Sequence, residues 1–154
     1  MTHPYLAEAP FATVDAQLAE ILDFGDTPVG HRRVIHITGG TVEGPRLKGQ
    51  ILPGGADWQI GRADGVADIH ARYTIAVEGG GHILAESKGL RHGPPEVIAA
   101  LARGEDVDPA SYFFRVLYRF ETGVASLDWL NRTMAIGVGR RLPRGVKIDL
   151  YEVL

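Results

Sequence analysis

The 154-residue chain contains no cysteine, which removes disulfides, thiolate metal ligands and thiol nucleophiles at once. Positive charge is not in excess either. Sixteen Lys and Arg stand against nineteen Asp and Glu, a net charge of -3 that offers nucleic acid or an anionic membrane no electrostatic footing. The densest basic cluster, Arg140, Arg141, Arg144 and Lys147, is broken by Pro143 and Gly145 and reads as a solvated turn. No apolar stretch approaches the ~20 residues that span a bilayer. The start Met1-Thr2-His3-Pro4 lacks the basic and then apolar pattern of a secretory signal, so a cytoplasmic setting is expected.

Several catalytic motifs are missing too. None of Ser87, Ser111 and Ser126 lies in Gly-x-Ser-x-Gly, which argues against a serine hydrolase. The six histidines include no close His-x-His pair followed by a carboxylate, so no metal is expected. Gly39-Gly40-Thr41-Val42-Glu43-Gly44-Pro45-Arg46 has phosphate-loop glycines, but Pro45-Arg46 stands where Lys-Ser/Thr is required and no helix follows. Those glycines read as turns, and no cofactor is expected.

What the chain has is punctuation. Twenty glycines and nine prolines are spread along its length and cut it into short segments, the habit of an all-β protein. From Ile69, one series runs Ile69, Ala71, Tyr73, Ile75, Val77 and the interleaved one His70, Arg72, Thr74, Ala76, Glu78, the period of a strand with two unlike faces. Gly79-Gly80-Gly81 then turns the chain, and His82–Lys88 returns as a hairpin partner. Phe113–Glu121 repeats the alternation. Further strands are expected over Phe11–Leu18, Arg33–Thr38, Leu47–Leu52, Asp57–Arg62, Trp129–Val138 and Lys147–Val153; Thr41–Glu43 is too short to assign, and Gln17–Phe24 fits helix or strand. Pro95–Arg103 reads as the one short helix, with proline and Glu96 at its start and Gly104 to end it; it could cap a barrel end. About nine strands in one domain over residues 1–154 admit a sandwich or a barrel, and closure, which removes exposed edges, favours a closed antiparallel barrel of lipocalin-like shape.

Two constellations carry chemistry. In Pro53-Gly54-Gly55-Ala56-Asp57-Trp58 an acid sits beside an indole, as proton acceptor and apolar wall, or else as turn-binding acid and core filler. The second is the polar series on the alternating strands: Arg72 and Glu78, Arg115 and Glu121, with Asn131 in Trp129-Leu130-Asn131. Facing inward, these would line a cavity; facing outward, they would form weak cross-strand ion pairs.

The runs Arg32–Pro45, Gly49, Pro53–Trp58, Arg62–Gly65, Ala71–Thr74, Tyr112–Arg115, Phe120–Thr122 and Trp129–Asn131 together resemble the family of domain of unknown function 3237, over nearly the whole chain from about Pro10. The resemblance implies a β-barrel of about this length, from bacteria with fungal relatives, and allows a homo-oligomer; it implies no established activity. One departure is His70, which stands where the family usually has an acid.

The expectation is a barrel holding a small cyclic or aromatic molecule, with cofactor-independent isomerase, lyase or cyclase chemistry. Asp57 or Glu121 would be the base and Arg72 the stabiliser of a developing oxyanion. Trp58, Tyr73, Arg115, Trp129 and Asn131 would bind the ligand. The alternatives are a non-catalytic carrier or sensor of such a molecule, and an assembly domain with a filled core.

Overall fold

The alternation beginning at Ile69 belongs to an eleven-residue strand that shares its single antiparallel sheet with every other strand of the molecule. The computed structural model describes residues 4–154. In chain order the elements are β1 (Ala12–Leu18), β2 (Leu22–Thr27), β3 (Gly30–Glu43), β4 (Lys48–Ile51), β5 (Gly55–Gly61), β6 (Ala67–Val77) and β7 (His82–His92). The helix α1 (Pro95–Ala102), β8 (Phe113–Thr122), β9 (Ala135–Leu142) and β10 (Gly145–Glu152) follow, with 3-10 turns at Pro109–Ser111 and Ala125–Arg132.

The sheet closes on itself. Val14 of β1 pairs with Ile148 of β10 on one side and Val42 of β3 on the other. β4 and β5 lie end to end between β3 and β6, divided by a turn at Gly54, whose φ of 114° is a left-handed value that glycine adopts freely. Counting those two as one broken strand, the barrel has eight positions, and the expected closed antiparallel barrel is the observed one. β2 carries on beyond β1 and pairs only with the first half of β3.

Three segments differ from the sequence expectation. Thr41–Glu43 is the end of a fourteen-residue β3. The ambiguous Gln17–Phe24 divides between the ends of β1 and β2. Trp129–Asn131 is not strand: it lies in a 3-10 segment kinked at Leu127, in which Leu127 and Leu130 are both buried. The α-helix lies where expected and ends in Gly104, at φ 78°.

The apolar series faces the interior. Ile69, Ala71, Tyr73 and Ile75 of β6 point inward with Phe114, Val116, Tyr118 and Phe120 of β8, and all are buried. Ile75, Ile83, Leu130 and Leu150 are fully sealed, each contributing about 1.5–3 kcal/mol of hydrophobic stabilisation over exposure. One end is plugged. The 3-10 segment Ala125–Arg132 inserts Leu127 and Leu130, Phe11 meets Trp129 edge-on at 5.3 Å, and the Arg46 guanidinium stacks 3.7 Å over the indole. At the other end α1 follows β7 and packs Val97, Ile98 and Leu101 against the core.

Candidate functional site

Above the plug the interior leaves a cavity with about 50 Å³ open to the centres of water-sized molecules. Its walls are mainly aliphatic and aromatic, among them Ile35, Ile69, Phe114 and Val116, and the acid exposed to it is Asp57. β5 places that acid. Asp57 pairs with Ala71 of β6, the ladder lapses at the next two positions, and pairing resumes at Ile60 and Asp68. The His70 backbone N–H left over by the lapse donates to Asp57 Oδ1 at 3.0 Å, and Gln59 Nε2 donates to Oδ2 at 3.0 Å. Burial pushes the Asp57 carboxyl above the usual carboxylate range; these two donors, and the charges of Arg91 and His70, pull the other way without overcoming it.

Around Asp57 stand two further polar groups of opposite character. Tyr73 and Tyr118 share a buried hydroxyl–hydroxyl hydrogen bond of 2.8 Å, and the buried Ser87 is paired across the ladder with Tyr118. Burial pushes the Tyr118 phenol up to about 12 and Tyr73 well above its ordinary value, so both are neutral donors at physiological pH. Away from the plug, Arg91 and Arg141 line the cavity. Burial first, then the charges of Arg141 and Arg33, lower the Arg91 guanidinium to about 10. Burial also lowers Arg141.

Of the residues singled out in the sequence, Asp57 and Tyr73 line this cavity and the others do not. Arg72 points outward, more than half exposed, 3.6 Å from Glu86; the imidazole of His70 lies 3.3 Å from the same carboxylate. Glu121 and Arg115 are exposed on the outer face of β8, where Arg115 donates to the Phe114 carbonyl. Trp58 is 47% exposed on the outer wall, opposite Val34. Trp129 belongs to the plug, and Asn131 ties that plug to β8 through the Thr122 N–H and C=O. The expectation that the polar strand series turns inward is therefore corrected. An eight-position barrel is narrow, and the charged face is the one water can reach.

The residues the sequence reading missed are Gln59, Ser87, Arg91, Tyr118 and Arg141. The sequence reads Arg141 as part of a solvated turn, yet its backbone N–H donates to the buried Tyr112 hydroxyl at 2.8 Å and its side chain lines the cavity. A signal existed. Gly89-Leu90-Arg91 and Gly137-Val138-Gly139-Arg140-Arg141 put each arginine in phase with glycines of the inner face, where neighbouring strands and side chains already fill the place of a Cβ. Among the described residues no group of three His, Asp or Glu is placed to hold a metal ion. No helix among them is long and apolar enough to cross a membrane.

The comparisons agree with this architecture. The model of the family described as protein of unknown function (DUF3237) matches residues 7–153. A UPF0311 protein of Rhodopseudomonas palustris is 38% identical over 142 residues, covering 92% of this chain and 93% of that protein. The crystal structure of a β-barrel-like protein from Acinetobacter baumannii superposes with a TM-score of 0.84 at 41% identity, over 99% of each chain. An enzyme from Penicillium herquei shares the fold at a TM-score of 0.69 and 16% identity, over 97% of this chain and 98% of its own. With a family model spanning almost all of its length and relatives of this identity, the chain belongs to the DUF3237 family.

Proposed function

We propose that the barrel interior admits a small organic molecule and that Asp57 moves a proton on it, the chemistry of a cofactor-independent isomerase, lyase or cyclase. One observation carries the reading: a carboxylate pushed above its usual range lies inside an apolar-walled cavity, with two N–H donors fixing its orientation. A base of raised pKa holds a proton more strongly when it accepts one, and releases it more readily near neutrality than a phenol or ammonium does. Each Asp57 oxygen spends one lone pair on its donor and keeps another for substrate. Arg91 and Arg141 face the same space and would stabilise an oxyanion as it develops, with Tyr73 and Tyr118 as neutral hydrogen-bonding groups on the wall.

The aliphatic lining suits a cyclic or aromatic body. The cavity's 50 Å³ is well below the ~300 Å³ of ordinary ligand pockets, so admitting a ring requires the lining side chains to move apart. The enzyme from Penicillium herquei supports a catalytic use of this fold in that protein; at 16% identity it speaks for the fold alone.

The test is proton exchange. Small enolisable ketones and phenols incubated with the protein in D2O should gain deuterium at carbon, followed by NMR. Asp57→Asn should slow that exchange by about 10²–10⁴-fold while leaving ligand binding intact. Binding without exchange in the parent protein would make the barrel a carrier instead. Neither binding nor exchange would make it a filled structural core.

A further inference from the structure

We infer that Arg33, Arg91 and Arg141 form an anion subsite at the end of the barrel opposite the plug, so that the molecule it takes is an organic acid, its carboxylate among the guanidinium groups and its apolar body below. The inference rests on the barrel interior being a ligand site and names the class of ligand. The three arginines come from three separate strands, β3, β7 and β9: Arg91, opposite Ala67 and Phe114, and Arg141, opposite Val146, line the cavity, and Arg33, opposite Gln59 and in phase with Ile35 of the lining, borders it closely enough for its charge to act on both.

None of them forms an ion pair within 4.0 Å among the described residues. Arg33 Nε is buried without a hydrogen-bond partner. The Arg91 guanidinium lies 5.9 Å over the Phe114 ring, and Arg141 makes one long contact of 3.5 Å to the Gly145 carbonyl. Two acids face the group. Asp57 is shared between His70 and Gln59, and Asp23, opposite Arg33 on β2, gives its Oδ1 to His31 at 2.7 Å and to the Gly25 N–H at 2.8 Å. Guanidinium forks keep their charge at any physiological pH, and bringing three of them together with unspent donors is costly unless an anion joins them. The walls beneath include Ile35, Ile69 and Val116, which supply contact for a hydrocarbon body, with the Tyr73 and Tyr118 hydroxyls and the Asp57 carboxyl set among them and no further cation for a second anionic end. That arrangement selects a carboxylate on an apolar frame over free phosphate.

Isothermal titration with benzoate, benzamide and inorganic phosphate in low-chloride buffer tests this, on the parent chain and on Arg33→Gln and Arg141→Gln. Benzoate should bind the parent at least tenfold more tightly than benzamide or phosphate, and each variant should lose at least tenfold for benzoate with benzamide unchanged. Both unliganded variants should melt no lower than the parent, since each relieves repulsion among like charges; this separates a lost site from a damaged fold. Equal binding of benzoate and benzamide, phosphate matching benzoate, or no benzoate binding at all would each overturn the subsite. Asp57→Asn divides this inference from the catalytic one. It should bind benzoate at least as tightly as the parent whether or not proton exchange ever depended on Asp57.

Discussion

At the scale of single residues, Asp57 joins a structural and a chemical task. Its carboxylate closes a gap in the β5–β6 ladder, yet burial holds its pKa above the unfolded value. The sign of the linkage follows. The folded state binds the Asp57 proton more strongly than the unfolded chain, so this residue's stability contribution is full below the ordinary carboxylate value of 3.8 and is lost as pH rises through the raised folded value. At neutral pH the ionised group is a net burden, set against Gln59, the His70 N–H and the charges of Arg91 and His70 that face it. Asp57→Asn keeps an acceptor for that N–H and removes the buried charge. It should match the parent in stability or exceed it by up to about 1 kcal/mol, a Tm gain of roughly 2–4 °C by calorimetry, with the gain shrinking as pH falls toward 4. A large loss of stability at pH 7 would show that the ionised form is what the fold requires. The tyrosine pair gives a second check. Of the five tyrosines, Tyr73 and Tyr118 should stay un-ionised in the folded protein as pH is raised to 11, so the absorbance at 295 nm should fall short of the full phenolate signal until the barrel unfolds.

At the scale of elements, the inner face depends on glycine where strands approach closely. A Cβ on Gly89 of β7 would stand 2.0 Å from the Arg115 carbonyl oxygen and 2.6 Å from the Val116 Cα, backbone atoms that cannot move without parting β7 from β8. Gly89→Ala should therefore cost about 3 kcal/mol or more, read as a fall in the urea midpoint, although it adds one methyl group. The same strands explain what the sequence could and could not disclose. Alternation at β6 and β8 was legible because eleven- and ten-residue strands repeat the two-residue period several times over. Its phase was legible as well, since the apolar series is the buried one, and placing the charged series in a cavity ran against it. The candidate site suffered for that reason: Arg72, Arg115 and Glu121 sit in conspicuous charged series that proved to be the outer wall, while Arg91 and Arg141 sit at strand ends among glycines, where alternation looks broken. Tyr73 was found because it lies in the apolar series itself. Trp129–Asn131 misled in another way. Its apolar and polar residues mimic a strand, but Asn131 and Asp128 bond to one another and Asn131 reaches back to Thr122, local side-chain bonds that favour a turn over a ladder.

At the scale of the whole molecule, closure joins the two ends of the chain. β1 lies between β10 and β3, and past the barrel proper Leu6 bridges Val153, Ala7 N–H donates to the Glu152 carbonyl at 2.9 Å, and Leu154 N–H donates to the Tyr5 carbonyl at 2.9 Å. The chain's first and last described residues thus already run side by side as an antiparallel pair. Joining Leu154 to Pro4 through a few glycines would complete a hairpin and add no new path across the surface. New ends can then be placed in the Gly79–Gly81 turn, where all three residues have positive φ, a Cβ at Gly79 or Gly80 meets nothing, and few bonds would be cut. Such a permutant should fold and melt within a few degrees of the parent, because every strand keeps the neighbours it has. Opening the chain between Glu86 and Ser87 is the opposite case. There β7 is paired to Arg72 and Ala71 on one side and to Arg119 and Tyr118 on the other, and the buried Ser87 faces the tyrosine pair of the cavity. That permutant should lose the cooperative thermal transition in circular dichroism, and with it any binding in the interior. If the turn permutant also failed to fold, the pairing of the chain ends would not be what holds the barrel shut. If the strand permutant folded normally, β7 would not be the continuous wall on which the cavity depends.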